Sequence, residues 1–317
     1  MKLSILIPAF NEEKTISDVI EEIPKKIELI DEIEILVVND GSTDNTVSIA
    51  RKKGAKVFSF SHNRGLAKAI SYGFLKGIER KTDILVILDA DNQYDSKEIP
   101  ILIKPILEKK ADIVIGNRQV ETLDHMPMQK RIGNRLVSKA LSNIIGEKII
   151  DAQTGFRAFS NDALAKLHIF SEYTYTQETL MQAKFKGLKI LEIPVSFRKR
   201  YDKSRLISNI FTYAARTTSL VASTIIFYKS FKFFSILSII LFLIGGGLSV
   251  FVLNHFYSTG SVSPYLPTAL LSVLFLIIAS ISTFFTAVSS ILSRQSKLME
   301  EILYTLRKNS DPESKDD

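Results

Sequence analysis

The sequence predicts an α/β domain on a mostly parallel, doubly wound sheet, followed by a hairpin of two membrane-crossing helices. Through most of the chain, short aliphatic runs alternate with helix-patterned segments, and each run ends in a cluster of turn-forming polar residues. One run, Leu85-Val86-Ile87-Leu88, stops abruptly at Asp89-Ala90-Asp91. Farther on, no Asp, Glu, Lys or Arg occurs between Lys232 and Arg294.

Residues 3–7 form a short apolar strand that stops at Pro8, and a helix beginning near Glu12 is expected to kink or end at Pro24. Residues 33–38 are a second buried strand running into Asn39-Asp40-Gly41-Ser42-Thr43-Asp44. Gly41 permits a tight turn, and Ser42, Thr43 and Asp44 are all competent caps for a helix that reaches Gly54. Residues 57–60 make a third strand, and Asn63-Arg64-Gly65 leads into a helix with Leu66, Ile70, Gly73 and Phe74 on one face. The fourth strand, 84–88, is aliphatic throughout, as a strand covered on both faces must be.

A buried strand of a parallel sheet delivers its last residues to the carboxyl edge, where open α/β sheets bind their ligands. Residues i and i+2 of an extended segment face the same side, so Asp89 and Asp91 can address one point. Two hard oxygen donors there suit Mg2+ or Mn2+ on a diphosphate. The same acids could instead cap a following helix at a solvated strand end. Asp40 is a second acid at a strand end, suited to a ribose or base hydrogen bond or, equally, to an ordinary Asp-Gly turn. The first strand is not followed by G-x-G-x-x-G, and no G-x-x-x-x-G-K-[ST] occurs, which argues against a dinucleotide enzyme and a nucleoside triphosphatase.

Three segments in this order, Ile7-Pro8-Ala9-Phe10-Asn11-Glu12-Glu13, Val37-Val38-Asn39-Asp40-Gly41-Ser42-Thr43-Asp44 and Leu88-Asp89-Ala90-Asp91-Asn92-Gln93, resemble family 2 glycosyltransferases of the GT-A, Rossmann-like fold. With the hairpin, the chain is similar to the members of that family that act on polyprenyl (dolichyl or undecaprenyl) phosphate. The resemblance runs from Leu3 to about Leu206. It implies that Pro8, Asn11, Glu12 and Asp40 line a nucleoside pocket, with Asp89 also on the donor side. It implies that Asp89, Asp91 and Gln93 hold the metal and the sugar-nucleotide diphosphate, Asp91 counting among the catalytic residues. Asn92 stands where the family often has Leu, at a position not expected to be a ligand.

The second half supplies cations. Residues 111–116 are another apolar strand delivering Arg118, and Gln129-Lys130-Arg131-Ile132-Gly133-Asn134-Arg135 opens a basic helix. Arginine forks match phosphate oxygens, although a solvated basic face would look the same. In Asp151-Ala152-Gln153-Thr154-Gly155-Phe156-Arg157 the resemblance puts the acid beside the sugar, so Asp151 would orient a hydroxyl or act as base, with Glu178 as its rival. A phosphate monoester is already largely ionised near neutral pH, so positioning and charge handling are the expected roles of either acid. An edge strand, 190–197, leads into a dense cationic run. There the family's Arg-x-Gly-x-Ser-Lys reads Arg200-Tyr201-Asp202-Lys203-Ser204-Arg205, with Asp202 for glycine and Arg205 for lysine. The resemblance assigns Arg118, Arg131, Arg200, Ser204 and Arg205 to the acceptor phosphate; a purely lipid-headgroup role for the last cluster is the alternative.

The charge-free window holds stretches 233–253 and 266–292, each longer than the ~20 residues that cross a bilayer core. Lys229 and Lys232 precede the first, Arg294 and Lys297 follow the second, and only His255 lies between, so the positive-inside rule puts both flanks in the cytoplasm. The expected organisation is a catalytic domain over 1–206, amphipathic interface helices over 207–228, the hairpin over 229–293 and a tail over 294–317 with a disordered end. The start of the chain does not read as a signal peptide. The absence of cysteine excludes disulfides, thiolate catalysis and Cys-bound zinc. A net charge of +7 without a nucleic-acid motif suits an anionic leaflet. The expected activity is inverting transfer of one sugar from a UDP- or GDP-sugar to polyprenyl phosphate, with Mg2+ or Mn2+, at the cytoplasmic face of the cell membrane; side-by-side homo-oligomers are compatible with it. A processive polysaccharide synthase and a non-catalytic membrane scaffold are the alternatives, the first disfavoured by the lack of tryptophan.

Overall fold

The aliphatic runs form the strands of one sheet, buried throughout over Ile84–Ile87 and Ile113–Asn117 and only in part in the edge strands Lys56–Ser59 and Ile190–Pro194. The computed structural model describes residues 1–123, 126–169, 175–199 and 210–309. The strands are β1 (Lys2–Ala9), β2 (Glu32–Asn39), β3 (Lys56–Ser59), β4 (Ile84–Ile87), β5 (Ile113–Asn117), β6 (Arg157–Ser160) and β7 (Ile190–Pro194). They make one sheet in the order β3-β2-β1-β4-β6-β5-β7. β1 runs parallel to β2 from Lys2↔Glu32 to Ala9↔Asn39 and, on its other side, parallel to β4 from Leu3↔Ile84 to Leu6↔Ile87. β6 lies antiparallel between β4 and β5, and β7 runs parallel to β5 at the far edge. The mostly parallel sheet is the one the sequence predicts. The reversed β6 is an addition, a four-residue strand that opens on an arginine and so lacks the aliphatic signature.

The helices are α1 (Ile16–Glu22), α2 (Thr46–Lys52), α3 (Leu66–Glu79), α4 (Ile99–Leu107), α5 (Met128–Ile145), α6 (Asn161–Lys166) and α7 (Tyr175–Phe185). α1 stops at Glu22 and Ile23 is extended, as the residue before Pro24 must be. Gly41 holds φ +77°, and a Cβ there would sit 2.6 Å from the carbonyl carbon of His62, so the turn after β2 admits only glycine.

At the amino edge of the sheet, opposite the strand ends that carry the acids, Glu34 on β2 is buried beneath three cations. Arg80 grips both of its oxygens at 2.5 Å, Lys56 lies 2.6 Å away and Lys2 3.3 Å. Burial alone would raise the Glu34 pKa, but these partners bring it down to about 2.

The chain divides into two compact units, Met1–Thr217 with Leu303–Asp317, and Thr218–Ile302. The last two helices are α8 (Ile210–Thr259) and α9 (Leu266–Asn309). Within the second unit, Phe231–Thr259 and Leu266–Gln295 are each long and apolar enough to cross a membrane. Small polar residues join them: Ser238 donates to the Ala279 carbonyl at 3.1 Å, and Ser272 donates to the Gly245 carbonyl at 3.0 Å. From Ile210, within the 207–228 stretch expected to hold interface helices, the backbone is one helix to Thr259. Neither proline nor glycine occurs between Ile210 and Ile244, so nothing interrupts it.

Folding lowers the Glu34 pKa, so its stabilisation is complete above its unfolded value near 4.5 and disappears as pH falls toward about 2. Glu34→Gln is expected to lower stability at neutral pH by about 2 kcal/mol and to flatten the acid limb of the stability profile. Thermal melts of both proteins across this pH range check it, and parallel acid limbs would contradict it.

Candidate active site

The carboxyl ends of β1 and β2 are laced together before any ligand is considered. Asn11, in the left-handed region at φ 54°, donates its N–H to Ser42 Oγ at 2.9 Å and accepts from the Thr43 N–H at 2.8 Å. The Glu12 N–H donates to Thr46 Oγ1 at 2.9 Å. Asp44 accepts from both the N–H and hydroxyl of Thr46 and from the Glu13 N–H. Pro8 is buried in β1 beside Val38. Asp40 accepts the N–H groups of Arg64 (2.7 Å) and Gly65 (2.9 Å), fixing the turn into α3. Pro8, Asn11, Glu12 and Asp40 therefore gather at one sheet edge, with Asp40 in the turn-holding role that the sequence left open beside the nucleoside role.

The loop after β4 is built on a second lattice. Thr15 Oγ1 donates to the Ala90 carbonyl at 2.7 Å, between Asp89 and Asp91. Asn92 adopts φ 59°, a conformation asparagine tolerates, and its side-chain oxygen accepts from Arg198 Nη1 at 3.0 Å. Arg198 also pairs with Glu22 at 2.9 Å and Asp95 at 3.1 Å. Gln93 exchanges bonds with the same residue: its carbonyl accepts the Arg198 N–H at 2.7 Å and its Nε2 donates to the Arg198 carbonyl at 3.3 Å. Asp91 Oδ1 accepts the Gln93 N–H at 3.2 Å. Asn92 is thus a brace between the acidic loop and the segment after β7, a part played by its own side chain.

Gly155 closes over the acids. A Cβ at this position would lie 2.7 Å from Asp89 Oδ2 and 3.0 Å from Oδ1, so the backbone runs against the carboxylate with no room for a side chain. Two buried residues hold it there. The Tyr94 hydroxyl accepts the Gly155 N–H and meets Thr154 Oγ1, both at 3.1 Å, and burial pushes its pKa up to about 12. Arg157, fully buried, donates to the carbonyls of Thr154 (2.9 Å), Ala152 (2.8 Å) and Thr176 (2.7 Å) and to Thr179 Oγ1 (3.0 Å). These bonds tie the segment to the first turn of α7, which carries Glu178; that side chain is buried and accepts from Gln182 Nε2 at 3.2 Å.

Asp151 and Arg118 face each other. Nε and Nη2 of Arg118 each lie 2.8 Å from the Asp151 oxygens, and the Arg118 N–H adds a third bond at 3.1 Å. Burial disfavours both charges, yet the pairing wins, holding the Asp151 carboxyl below the usual carboxylate range and the Arg118 guanidinium above its own. A completely buried carboxylate gripped on both oxygens is a poor proton acceptor. The other side of Arg118 stacks 5.2 Å over Phe197 and lines an open cavity of about 290 Å3 with Glu98, Gln119, Thr122 and Ser196. Arg131 departs from a phosphate-facing arginine in another way: its guanidinium closes on the carbonyls of Glu121, Leu123 and Met126. Among the described residues no carboxylate neutralises it. Arg200, Ser204 and Arg205 lie outside the described residues.

Tyr94, Arg157, Arg198 and Glu192 belong to the site's framework without having been read from the sequence as such. Glu192 accepts the N–H groups of Ile150 and Asp151, and burial raises its pKa. A glutamate inside an otherwise apolar edge strand was the visible signal. For Tyr94 and Arg157 the only signal was proximity to the acidic loop and to Gly155. Among the described residues no group of three or more His, Cys, Asp or Glu side chains could hold a metal by itself.

A family model described as "Glycosyl transferase family 2" matches residues 4–167. A UDP-N-acetylglucosamine–dolichyl-phosphate N-acetylglucosaminyltransferase of Methanococcus voltae is 32% identical over 213 residues, covering 60% of this chain and 83% of that protein. An undecaprenyl-phosphate mannosyltransferase of Micrococcus luteus is 27% identical over 215 residues, covering 63% and 85%. The crystal structure of glucosyl-3-phosphoglycerate synthase from Mycobacterium tuberculosis, with Mn2+, UDP-glucose and phosphoglyceric acid, superposes with a TM-score of 0.56 over 71% of this chain and 78% of that one. At 23% identity this is a likeness of fold alone.

The Arg118–Asp151 pair makes a stability prediction independent of activity. Arg118→Met or Asp151→Leu alone leaves an uncompensated buried charge and is expected to cost about 3–5 kcal/mol, while the double variant recovers much of the loss. Thermal melts of the four proteins measure the coupling, and additive losses would exclude the pair.

Proposed function

The chain belongs to glycosyl transferase family 2, and from that premise we propose that it moves one sugar, with inversion, from a UDP- or GDP-sugar to a polyprenyl phosphate. The observation that carries this is the Asp89-Ala90-Asp91 loop at the end of a buried strand, with the Gly155 backbone packed against Asp89. That arrangement shares a chain with two helices able to cross a membrane, which supports a lipid acceptor. Relatives named for transfer to dolichyl and undecaprenyl phosphate support the same acceptor.

On the donor side, Pro8, Asn11, Glu12 and Asp40 would line the nucleoside pocket from the laced loops of β1 and β2. Asp89, Asp91 and the side-chain oxygen of Gln93 would hold Mg2+ or Mn2+. Two carboxylates are too few for a cage made by the protein alone, but they fit an ion that also takes oxygens from a bound diphosphate. When bound, such an ion supplies the positive charge that stabilises the departing nucleoside diphosphate.

On the acceptor side, a phosphate oxygen forms the bond to the anomeric carbon as the bond to the donor diphosphate breaks and the nucleotide leaves with the electron pair. The attacking oxygen is already ionised, so no base is required, in keeping with an Asp151 locked to Arg118. Asp151 acts by holding Arg118 at the cavity wall, and Glu178 is placed as a buried positioning acid on α7. Arg131, Arg200, Ser204 and Arg205 would screen the repulsion between two approaching anions. In-line attack yields a β-linked product from an α-linked donor. Basic residues flanking both apolar helices favour the cytoplasmic face.

Asp91→Ala is expected to lower transfer at least about 1000-fold in washed membranes supplied with Mn2+, UDP- and GDP-sugars and polyprenyl phosphate. Radiolabel extracted into organic solvent is the readout; unchanged labelling would refute catalysis at this site. A retained α-linkage would refute the inverting course, and more than one sugar per lipid would favour a polysaccharide synthase. Gly155→Ala places a methyl group against Asp89 and is expected to reduce kcat by about 100-fold, with a lowered melting midpoint from the crowding. Wild-type kcat in this variant would contradict the close approach.

A further inference from the structure

α7 buries two polar side chains one turn apart, and the second of them serves the first. Glu178 and Gln182 share a helix face at a spacing of four residues, and both are buried. Burying an amide costs stability unless its groups are bonded, and both ends of this one are. Gln182 Oε1 accepts the His168 N–H at 3.0 Å. Its Nε2 donates to the His168 carbonyl and also to Glu178 Oε1, the latter at 3.2 Å. The partners dictate the orientation of the amide. A flip would turn its oxygen onto a carbonyl and a carboxylate and its NH2 onto an N–H. An amide that only stapled α7 to the chain after α6 would be served by the two His168 bonds. The remaining N–H is spent on the acid.

His168 is held in turn by the end of the chain. It follows α6, whose last carbonyls are taken by cations. Arg307 Nη1 donates to the Leu167 carbonyl at 3.0 Å and reaches that of Ala165 at 3.5 Å, and Lys186 Nζ donates to the Lys166 carbonyl at 2.6 Å. Cations at that end complement the helix dipole. The other end of α6 meets Tyr304, whose hydroxyl donates to Asp162 Oδ1 at 2.9 Å. Tyr304 and Arg307 lie in the end of α9, which from Leu303 belongs to the first unit. The first turn of α7 is fixed on the side of the donor acids. Arg157 bonds the Thr176 carbonyl, and Asp89 stands close enough to add to the burial that raises the Tyr175 pKa.

We propose that Gln182 is a positioning residue for sugar transfer, fixing the Glu178 carboxylate in one orientation, with His168 as its fixed point and Arg307 as the anchor of that point. A glutamate has three rotatable bonds, and a misplacement of about 1 Å in a positioning group costs on the order of 100-fold in rate. The inference rests on the reading of Glu178 as an acid of the site. It makes the end of α9, remote in sequence from the acids, a part of the apparatus that orients them.

The test is the rate of the full-length chain in washed membranes, per folded molecule, with Mn2+, polyprenyl phosphate and whichever UDP- or GDP-sugar the wild type transfers. Gln182→Met keeps the side-chain volume and removes the bonds to His168 and Glu178. It is expected to lower kcat about 30-fold while KM for the nucleotide sugar stays within about twofold. In a Glu178→Ala background the same change is expected to cost no more than about twofold, because the acid it serves is gone. Arg307→Met is expected to show the same pattern at about fivefold. Should the methionine variant not fold, Gln182→Asn gives the same readout, being too short to bridge His168 and Glu178 together. Wild-type kcat in the Gln182 variant overturns the inference. So do equal losses in both backgrounds, which would assign Gln182 to stability alone. Wild-type kcat in Arg307→Met overturns the part given to the end of α9. Wild-type kcat in Glu178→Ala refutes instead the reading of Glu178, and absence of transfer by the wild type refutes the proposed function; the inference falls with either.

Discussion

The site depends on one buried charge. Arg157 has no exposed surface, and a guanidinium taken out of water must find acceptors for its N–H groups. It finds them in the carbonyls of Ala152, Thr154 and Thr176 and in the Thr179 hydroxyl. Satisfying that charge fixes the segment 152–154 relative to α7, and Gly155 follows as the next residue along. The contact of Gly155 with Asp89 is thus a by-product of solvating an arginine with main chain. Tyr94 reinforces it from the other direction, since its hydroxyl bonds Gly155 and Thr154 while it lies three residues beyond Asp91 in the sequence.

Charge is distributed with the same economy at the two edges of the sheet. At the amino edge Glu34 is surrounded by Arg80, Lys56 and Lys2, an arrangement that serves stability because nothing there has to bind or react. At the carboxyl edge Asp40 and Asp91 accept from backbone N–H groups. Asp40 takes the N–H groups of Arg64 and Gly65, and Asp91 takes that of Gln93. A carboxylate bonded to N–H groups retains its negative charge and further lone pairs, whereas one gripped by arginine is neutralised. Asp151 is neutralised by Arg118 on both of its oxygens.

The strands, their parallel pairing and the two apolar helices were legible in the sequence because each is written in local periodicity and charge. So were the acids at strand ends, since a buried aliphatic run can end only at the sheet edge. What was not legible depends on partners distant in sequence. The reversed β6 opens on Arg157, whose burial is decided by carbonyls from α7 and cannot be read from its neighbours. The engagement of Asp151 by Arg118 joins residues 33 positions apart. Asn92 reads as an incidental departure from leucine until Arg198, 106 residues later, is placed on its oxygen. Amphipathic spacing over 207–228 suggested separate helices, whereas neither proline nor glycine interrupts α8 between Ile210 and Ile244.

The proposed phosphate acceptor would account for a site that leaves its acid locked. An alcohol must lose a proton as it attacks, so an enzyme that glycosylates hydroxyl groups needs a carboxylate with an open oxygen and a raised or ordinary pKa. A phosphate monoester arrives already charged, and the barrier it meets is repulsion from the donor diphosphate. The residues that matter then are cations able to lower that repulsion, together with a framework that keeps the acids on the donor side from facing the acceptor. Arg118 bound to Asp151 contributes almost no net charge, so under the proposed function the screening would fall to Arg131 and to the cationic run from Arg198 to Arg205. Arg198 is already paired with Glu22 and Asp95, which leaves the weight on residues beyond it. For a phosphate acceptor, as proposed, choice would be encoded less in the acids than in how much positive charge remains uncompensated next to them.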